Sequence, residues 1–502
     1  MSAERRLTLA ALVAVGLAVA LPHPASAHAI DGAVQLPVPL WLYLLGAAVA
    51  VAASFVVTTV ASRRATGPDY GTVVVPALIS TVLRLILRAL GLAWWYGAIL
   101  VGFLVADISP LPAVLLWIGI WVALPMVAAV AGNPWPSLSP LRTTYAALER
   151  IARRLGAERF DAGLPYPPWL ARWPAVALLA AGVWCELILP GSDMATTVAG
   201  LLVGYTVLSL VGMALFGPVA WLRHGELFEV LLGWFGRIGP VARRSVDRQL
   251  CAGCAEACGG DRCIDCPECA TAADDGERRA ELRTWFVGLT EPAPPGWSDA
   301  AFIILVLAGV TYDGLSETAY GATLLEWVLT PVIGALGVTS LAFLLTETVA
   351  LALVVAAFIL VFAATVALTR ALARGAALRP AAYAATLLPI AAGYLIAHYL
   401  TLVIRGAIWL PSLILDPLMS LAPDIGWIPV GAIWYLSVAA IVGGHIAGIV
   451  LAHRLTLRDA PRRATVAGLP MVVLMIGYTV LSLWIIAQPI VVEPGVQPAA
   501  FR

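Results

Sequence analysis

The sequence predicts an all-α integral membrane protein, with about ten transmembrane helices after a cleavable signal peptide and a small cytosolic Cys-rich insertion. Three observations predict it. The 502-residue chain is 61% hydrophobic and 12% charged, so lipid must be the solvent for most of it. Apolar stretches long enough to cross a bilayer recur along its length. All thirty basic residues are arginine, and all but Arg5, Arg6, Arg405 and Arg502 sit in alternate inter-span segments, which is the positive-inside pattern. The absence of lysine excludes a P-loop NTPase and a Schiff-base enzyme. A formal net charge of zero argues against nucleic acid as a partner.

Residues 1–27 read as a secretory signal. Arg5 and Arg6 precede the apolar run Leu7 to Leu21, and Ala25-Ser26-Ala27 gives a small-residue cleavage site. Cleavage there leaves His28 as the mature N-terminus, a candidate exported ligand whose amine and imidazole together suit Cu(II). Residues 28–217 read as an N-terminal bundle with spans near 40–61, 89–106, 112–131, 174–190 and 195–217. An amphipathic stretch from Thr144 to Leu155 carries Arg150, Arg153 and Arg154 on one face. Residues 218–298 read as a cytosolic loop. Residues 299–487 form a second bundle with spans near 299–316, 340–369, 380–404, 429–453 and 464–487, and residues 488–502 an exposed tail. The segments 317–339 and 405–428, rich in Trp and Pro, suit interfacial or re-entrant pieces at the outer side. The loop charges place the protein in the plasma membrane, with both mature termini outside and the cysteines in the cytoplasm.

The cytosolic loop contains CAGCAEACGGDRCIDCPEC, residues 251–269. Reducing solvent keeps such thiols free of disulfides. Two Cys-x2-Cys pairs, Cys251 with Cys254 and Cys263 with Cys266, have the spacing of a tetrahedral Zn2+ site, with Cys258 and Cys269 as further ligands. Cys263, Cys266 and Cys269 also follow the start of an iron–sulfur run, so a cluster stays open as an alternative. A closed all-cysteine site is usually structural and folds an insertion with little core of its own. A docking role toward a membrane or cytosolic protein is the other reading.

Ionisable residues at membrane depth are costly and mark functional sites. Glu347 and His398 fall at similar depths in consecutive spans, Asp313 near the outer end of the sixth span, and Glu186 near the outer end of the fourth beside Cys185. Glu317 and Arg405 lie close to the same level. Together they form a candidate outward-facing acidic, His-bearing cavity, able to hold a second metal. The bland reading gives Glu317 and Arg405 to the headgroup zone and His398 to the core. His445 and His453, eight residues apart, are too far apart to share an ion, and His445 lies too deep relative to His398 for a bis-His haem. Gly443, Gly444 and Gly448 read as close-packing positions.

Several stretches resemble the fenitrothion-hydrolase-like family of prokaryotic polytopic membrane proteins. They are Leu36 to Phe55, Asn133-Pro134-Trp135, Trp173-Pro174, Gly212 to Gly217, Asp313-Gly314-Leu315-Ser316, Ala397-His398-Tyr399 and Gly444-His445 through Ala452-His453. The resemblance implies hydrolysis of an organophosphate ester by a metal-activated water, with ligands drawn from Glu347, His398 and Asp313. The residues themselves point first to a permease or metal-ion-handling protein for an unidentified small solute. An enzyme or a membrane scaffold docking through the cysteine loop are the alternatives.

Overall fold

The computed structural model describes residues 39–61, 72–74, 77–245, 263–264, 278–290, 296–374, 376, 378–418 and 421–488. The signal segment and His28 lie outside the described residues. So do Cys251, Cys254, Cys258, Cys266 and Cys269, the expected metal ligands, and of Cys263 only the backbone falls within them. The described residues form a predominantly helical, polytopic membrane protein. Eleven described helices are long and apolar enough to cross a bilayer.

The first bundle contains α1 (Leu40–Ala61), α2 (Ala77–Leu104), α3 (Leu111–Ala131), α6 (Trp173–Leu187) and α7 (Ala195–Phe216). Helix α2 starts twelve residues before its expected span, so Arg84 and Arg88 lie within it; a helix continues past the apolar stretch wherever its charged residues still favour helical geometry. In α3, residues Val114–Ala123 adopt a π-helix. Pro125 follows, and it lacks the amide that would donate to Trp121 in a regular α-turn.

Between α3 and α6 lie α4 (Trp135–Leu138) and α5 (Pro140–Arg154). Ser139 caps α5 by accepting from the Arg142 amide at 3.3 Å, and this helix is the expected amphipathic element, one turn longer at its start. After α7 come α8 (Pro218–His224) and α9 (Leu227–Gly236). These two belong to the bundle: Leu227, Phe228, Leu231, Leu232, Trp234 and Phe235 are buried.

Four short strands gather the loops at the arginine-rich end. β1 (Thr72–Val74), β2 (Val241–Ser245), β3 (Cys263–Ile264) and β4 (Arg278–Leu282) form an antiparallel sheet in the order β1-β4-β2-β3. Val73 pairs with Ala280 and Arg243 with the same residue from the other side. The buried Arg283 fixes this sheet to the bundle by donating to the carbonyls of Gly239 and Gly236 at 3.2 and 3.1 Å.

The second bundle contains α10 (Trp297–Ser316), α11 (Ala319–Leu336), α12 (Ser340–Ala373), α13 (Leu388–Leu415, preceded by 3-10 turns from Pro380), α14 (Val430–Asp459) and α15 (Ala464–Ala487). Asp299 accepts from the Gly296 amide at 2.8 Å and starts α10, and the same carboxylate pairs with Arg172. Helices α13 and α14 meet backbone to backbone. A Cβ on Gly393 would stand 2.4 Å from the Ala440 carbonyl, and one on Gly444 2.3 Å from that of Pro389. Helix α13 runs on through Trp409 and Pro411, residues expected in a separate interfacial piece.

Helix α11 also has the length of a span, and the contacts of its neighbours locate both its ends. Tyr312 of α10 bonds Glu347 of α12, and Phe358 of α12 stacks on Tyr478 of α15. Ile485 of α15 in turn lies beside Gly314. Helix α12 therefore runs antiparallel to α10 and α15. Its first residue, roughly 10 Å above Glu347, is nearly level with the end of α10, roughly 6 Å above Tyr312. The short links 317–318 and 337–339 tie both ends of α11 near that level. Tyr320 and Trp327 on this helix are exposed by 66% and 70%, as residues facing lipid or the interface are.

Candidate functional site

The end of α10 opposite the arginine-rich loops carries adjacent residues Tyr312 and Asp313, and a helix turns about 100° per residue, so they address two neighbours. On one face, Asp313 Oδ2 accepts from the Tyr399 hydroxyl at 2.6 Å and lies 2.9 Å from His398 Nε2. On the other face, Tyr312 donates to Glu347 Oε2 at 2.8 Å. Gly314 keeps α10 close to α13, because a Cβ there would stand 2.2 Å from the Tyr394 hydroxyl and 3.4 Å from His398. Tyr394 stacks on the His398 ring at 5.7 Å and 11°, which fixes the imidazole plane.

Two more acids surround this pair. Glu317 lies within electrostatic reach of both His398 and Asp313. Glu186 lies within reach of Asp313 and of Tyr399, with its carboxylate held by the Trp121 indole N–H. Asp313 and His398 side chains are only 11% and 8% exposed, while Glu186, Glu317 and Glu347 are half-buried. Of the residues expected at an intramembrane site, Asp313 and His398 are in direct contact. Glu186 stands nearby behind Trp121. Glu347 belongs to the opposite flank of α10 and joins the cluster through Tyr312. Among the described residues, no three His, Cys, Asp or Glu side chains are arranged to hold a metal ion. That statement does not reach the cysteine loop, where Cys251, Cys254, Cys258, Cys266 and Cys269 lie outside the described residues.

His445 and His453 stand apart from this cluster. His445 is fully buried and bonds the Ile441 carbonyl through Nδ1 at 2.8 Å. His453 faces the edge of Phe55 at 5.7 Å. Arg405 is half-buried about two turns beyond His398. Cys185 is a free, half-buried thiol.

A second buried carboxylate was not singled out in the sequence. Glu226, with no exposure, joins α8 to α9. It accepts from the amides of Phe228 and Glu229 at 3.1 and 2.6 Å, from the Trp135 indole at 3.3 Å, and from the Tyr205 hydroxyl. Tyr205 is midway along α7, so the α8–α9 elbow enters the bundle to about half the span and returns. The signal was present: Gly217-Pro218 ends a span, and a ten-residue apolar run starting at Leu227 is too short to cross but long enough for a re-entrant piece. Tyr312 and Tyr399 were likewise invisible as partners, since aromatic residues at helical spacing look like core.

Compared with known proteins, the chain matches no family model, no curated protein and no solved structure.

Proposed function

We propose that this protein is a membrane permease that passes a small cation, with a divalent transition-metal ion as the candidate cargo, and that Asp313 and His398 form its transient binding site. The observation that supports this reading is the hydrogen-bonded carboxylate–imidazole pair inside a helical bundle, flanked by Glu186 and Glu317, with Glu347 on the opposite face of α10. A buried acid of this kind is retained at a high desolvation cost and serves substrate, ion or proton passage in membrane proteins. An imidazole and carboxylates suit divalent first-row metals. A site with few fixed ligands binds weakly enough to release its cargo, which a permease needs and a structural metal centre does not.

On the positive-inside reading, the pair lies toward the outer side, and half-buried Glu317 is the first carboxylate met from that water. His398 and Tyr399 both contact one oxygen of Asp313, so a cation arriving there displaces a proton or a hydroxyl contact. Proton exchange with cation binding follows from that geometry. The cysteine loop, as a cytosolic zinc knuckle built on Cys251, Cys254, Cys263 and Cys266, would be a separate structural element of the same protein.

The test uses the full chain in proteoliposomes. Uptake of Zn2+ and Mn2+ is followed with an internal metal-sensitive dye, and proton movement with a pH dye. Asp313→Asn and His398→Ala should each abolish saturable uptake and the linked proton signal while the protein stays folded. Unchanged uptake in both variants rejects the site. Absent uptake combined with chelator-sensitive, Asp313-dependent cleavage of an activated phosphate ester would favour the hydrolase implied by the family resemblance.

A further inference from the structure

We propose that the crevice between α6 and α7 is a binding site for one hydrocarbon chain of a membrane lipid. The two helices are joined by a short turn, residues 188–194, yet they do not pack along their lengths. The space between them, closed at the back by α2, α3 and the start of α9, is a cavity of about 470 Å3. That volume is in the range of small-molecule sites.

Its walls are aromatic, and their polar atoms are turned away. The Trp95 indole donates to Thr206 at 2.9 Å and that of Trp117 to the Ser192 carbonyl at 2.8 Å. Trp121 donates to Glu186, and the Tyr205 hydroxyl to Glu226. The rings of these four residues therefore offer carbon faces to the cavity, which they line with Phe228. A polar solute would find little to bond there, and an alkyl chain loses nothing by entering.

The shape suits an extended chain. Lining residues on α7 run from Thr197 to Leu208, roughly 16 Å of helix. Spread over that length, the volume leaves a path roughly 6 Å wide for atom centres, and so a channel of about 9 Å between the wall surfaces. That is narrower than a helix of a second copy, about 10 Å across with its side chains. An extended hydrocarbon segment of about a dozen carbons matches the length. Ala181, Gly200, Gly204 and Leu208 line the cavity and are exposed on the flank of two membrane spans, so the medium at the mouth is the bilayer interior. An empty crevice would leave its walls without dispersion contacts, which a chain from that medium supplies.

Gly200 and Gly204 allow the proposal to be broken cleanly. A Cβ at either position meets nothing within 4 Å, so a larger side chain can fill the crevice without displacing the fold. The full chain is reconstituted in phosphatidylethanolamine–phosphatidylglycerol vesicles doped with a phospholipid carrying a mid-chain diazirine. After illumination, adducts are mapped by peptide mass spectrometry. The expected result is labelling of the peptides bearing Trp121, Cys185 and Tyr205. Gly204→Leu and Gly200→Leu should each lower it roughly tenfold, equivalent to about 1.4 kcal/mol of lost occupancy. Labelling at the exposed Leu100 and Phe103 should persist, and Gly46→Leu, which also meets open space, should change neither. Cavity labelling that survives both glycine substitutions, or that is absent from the unsubstituted protein, overturns the proposal.

Discussion

Two of the buried carboxylates, Glu226 in the first bundle and Asp313 in the second, have surroundings that differ in kind. Glu226 is held by two backbone amides, an indole and a phenol. Its neighbour Glu229 is paired with Arg142. The amides and the indole cannot give up their protons, so this acid is fixed as the N-cap of α9 and the pin of the re-entrant elbow. Asp313 is met by a phenol and an imidazole, and further carboxylates stand close by. An imidazole changes its charge state within the physiological range, and additional acids favour a bound cation. The same burial therefore yields a staple in one bundle and an addressable site in the other. The chemistry of the donors decides which.

The largest expected effect comes from breaking the staple. Glu226→Ala removes an acceptor from four donors in a site closed to water, and each unmet donor costs about 1–3 kcal/mol. Loss of the helix cap adds about 1 kcal/mol. The variant should fail to accumulate, or should unfold in detergent well below the unsubstituted chain by thermal fluorescence. Glu226→Gln keeps one acceptor oxygen and should fold with a smaller loss and normal uptake. A folded Glu226→Gln protein without uptake would place this acid in transport and erase the contrast.

Asp313→Asn should show the converse. The amide keeps an acceptor for Tyr399, so the thermal transition should move little. Uptake should fall by at least about a hundredfold, since roughly 3 kcal/mol of charge interaction with a bound cation is lost. A large fall in stability with residual uptake would make Asp313 a second staple.

The sequence carried the membrane architecture well, because apolar length and arginine placement act locally and can be read residue by residue. It located eight spans to within about six residues of their observed bounds, ended the α13 span eleven residues early, and placed Arg84 and Arg88 outside a helix that in fact contains them. Residues 317–339, expected as an interfacial or re-entrant piece, form the helix α11, which has the length and composition of a span. The acids at depth were legible through their cost. Their partners were not, because Asp313 and His398 are brought together across 85 positions of chain by the packing of α10 on α13. The crevice between α6 and α7 was equally hidden, since an absence of packing leaves no pattern in the residues.

Tyr399→Phe tests whether the phenol on Asp313 holds the carboxylate or serves the cargo. It deletes one bond of 2.6 Å, worth about 1 kcal/mol net. If the phenol only orients Asp313, apparent cation affinity should drop by roughly fivefold with maximal rate unchanged. A fall in maximal rate at unchanged affinity would instead make Tyr399 part of proton release.

The smallest effect is expected at Glu347, on the far face of α10. Glu347→Gln retains an oxygen for the Tyr312 hydroxyl, which the carboxylate now accepts at 2.8 Å. The helix contact therefore survives, and the variant removes charge with little other change. A carboxylate one helix face away acts on the bound cation through distance and intervening protein, so uptake at low Zn2+ should fall only about threefold, roughly 0.7 kcal/mol. Saturating Zn2+ should restore the rate. A loss as deep as that of Asp313→Asn would show that the cation contacts both faces of α10 in turn. Tyr312 would then lie on the route between two sites rather than beside one, and the site would have to be redrawn around the whole end of that helix.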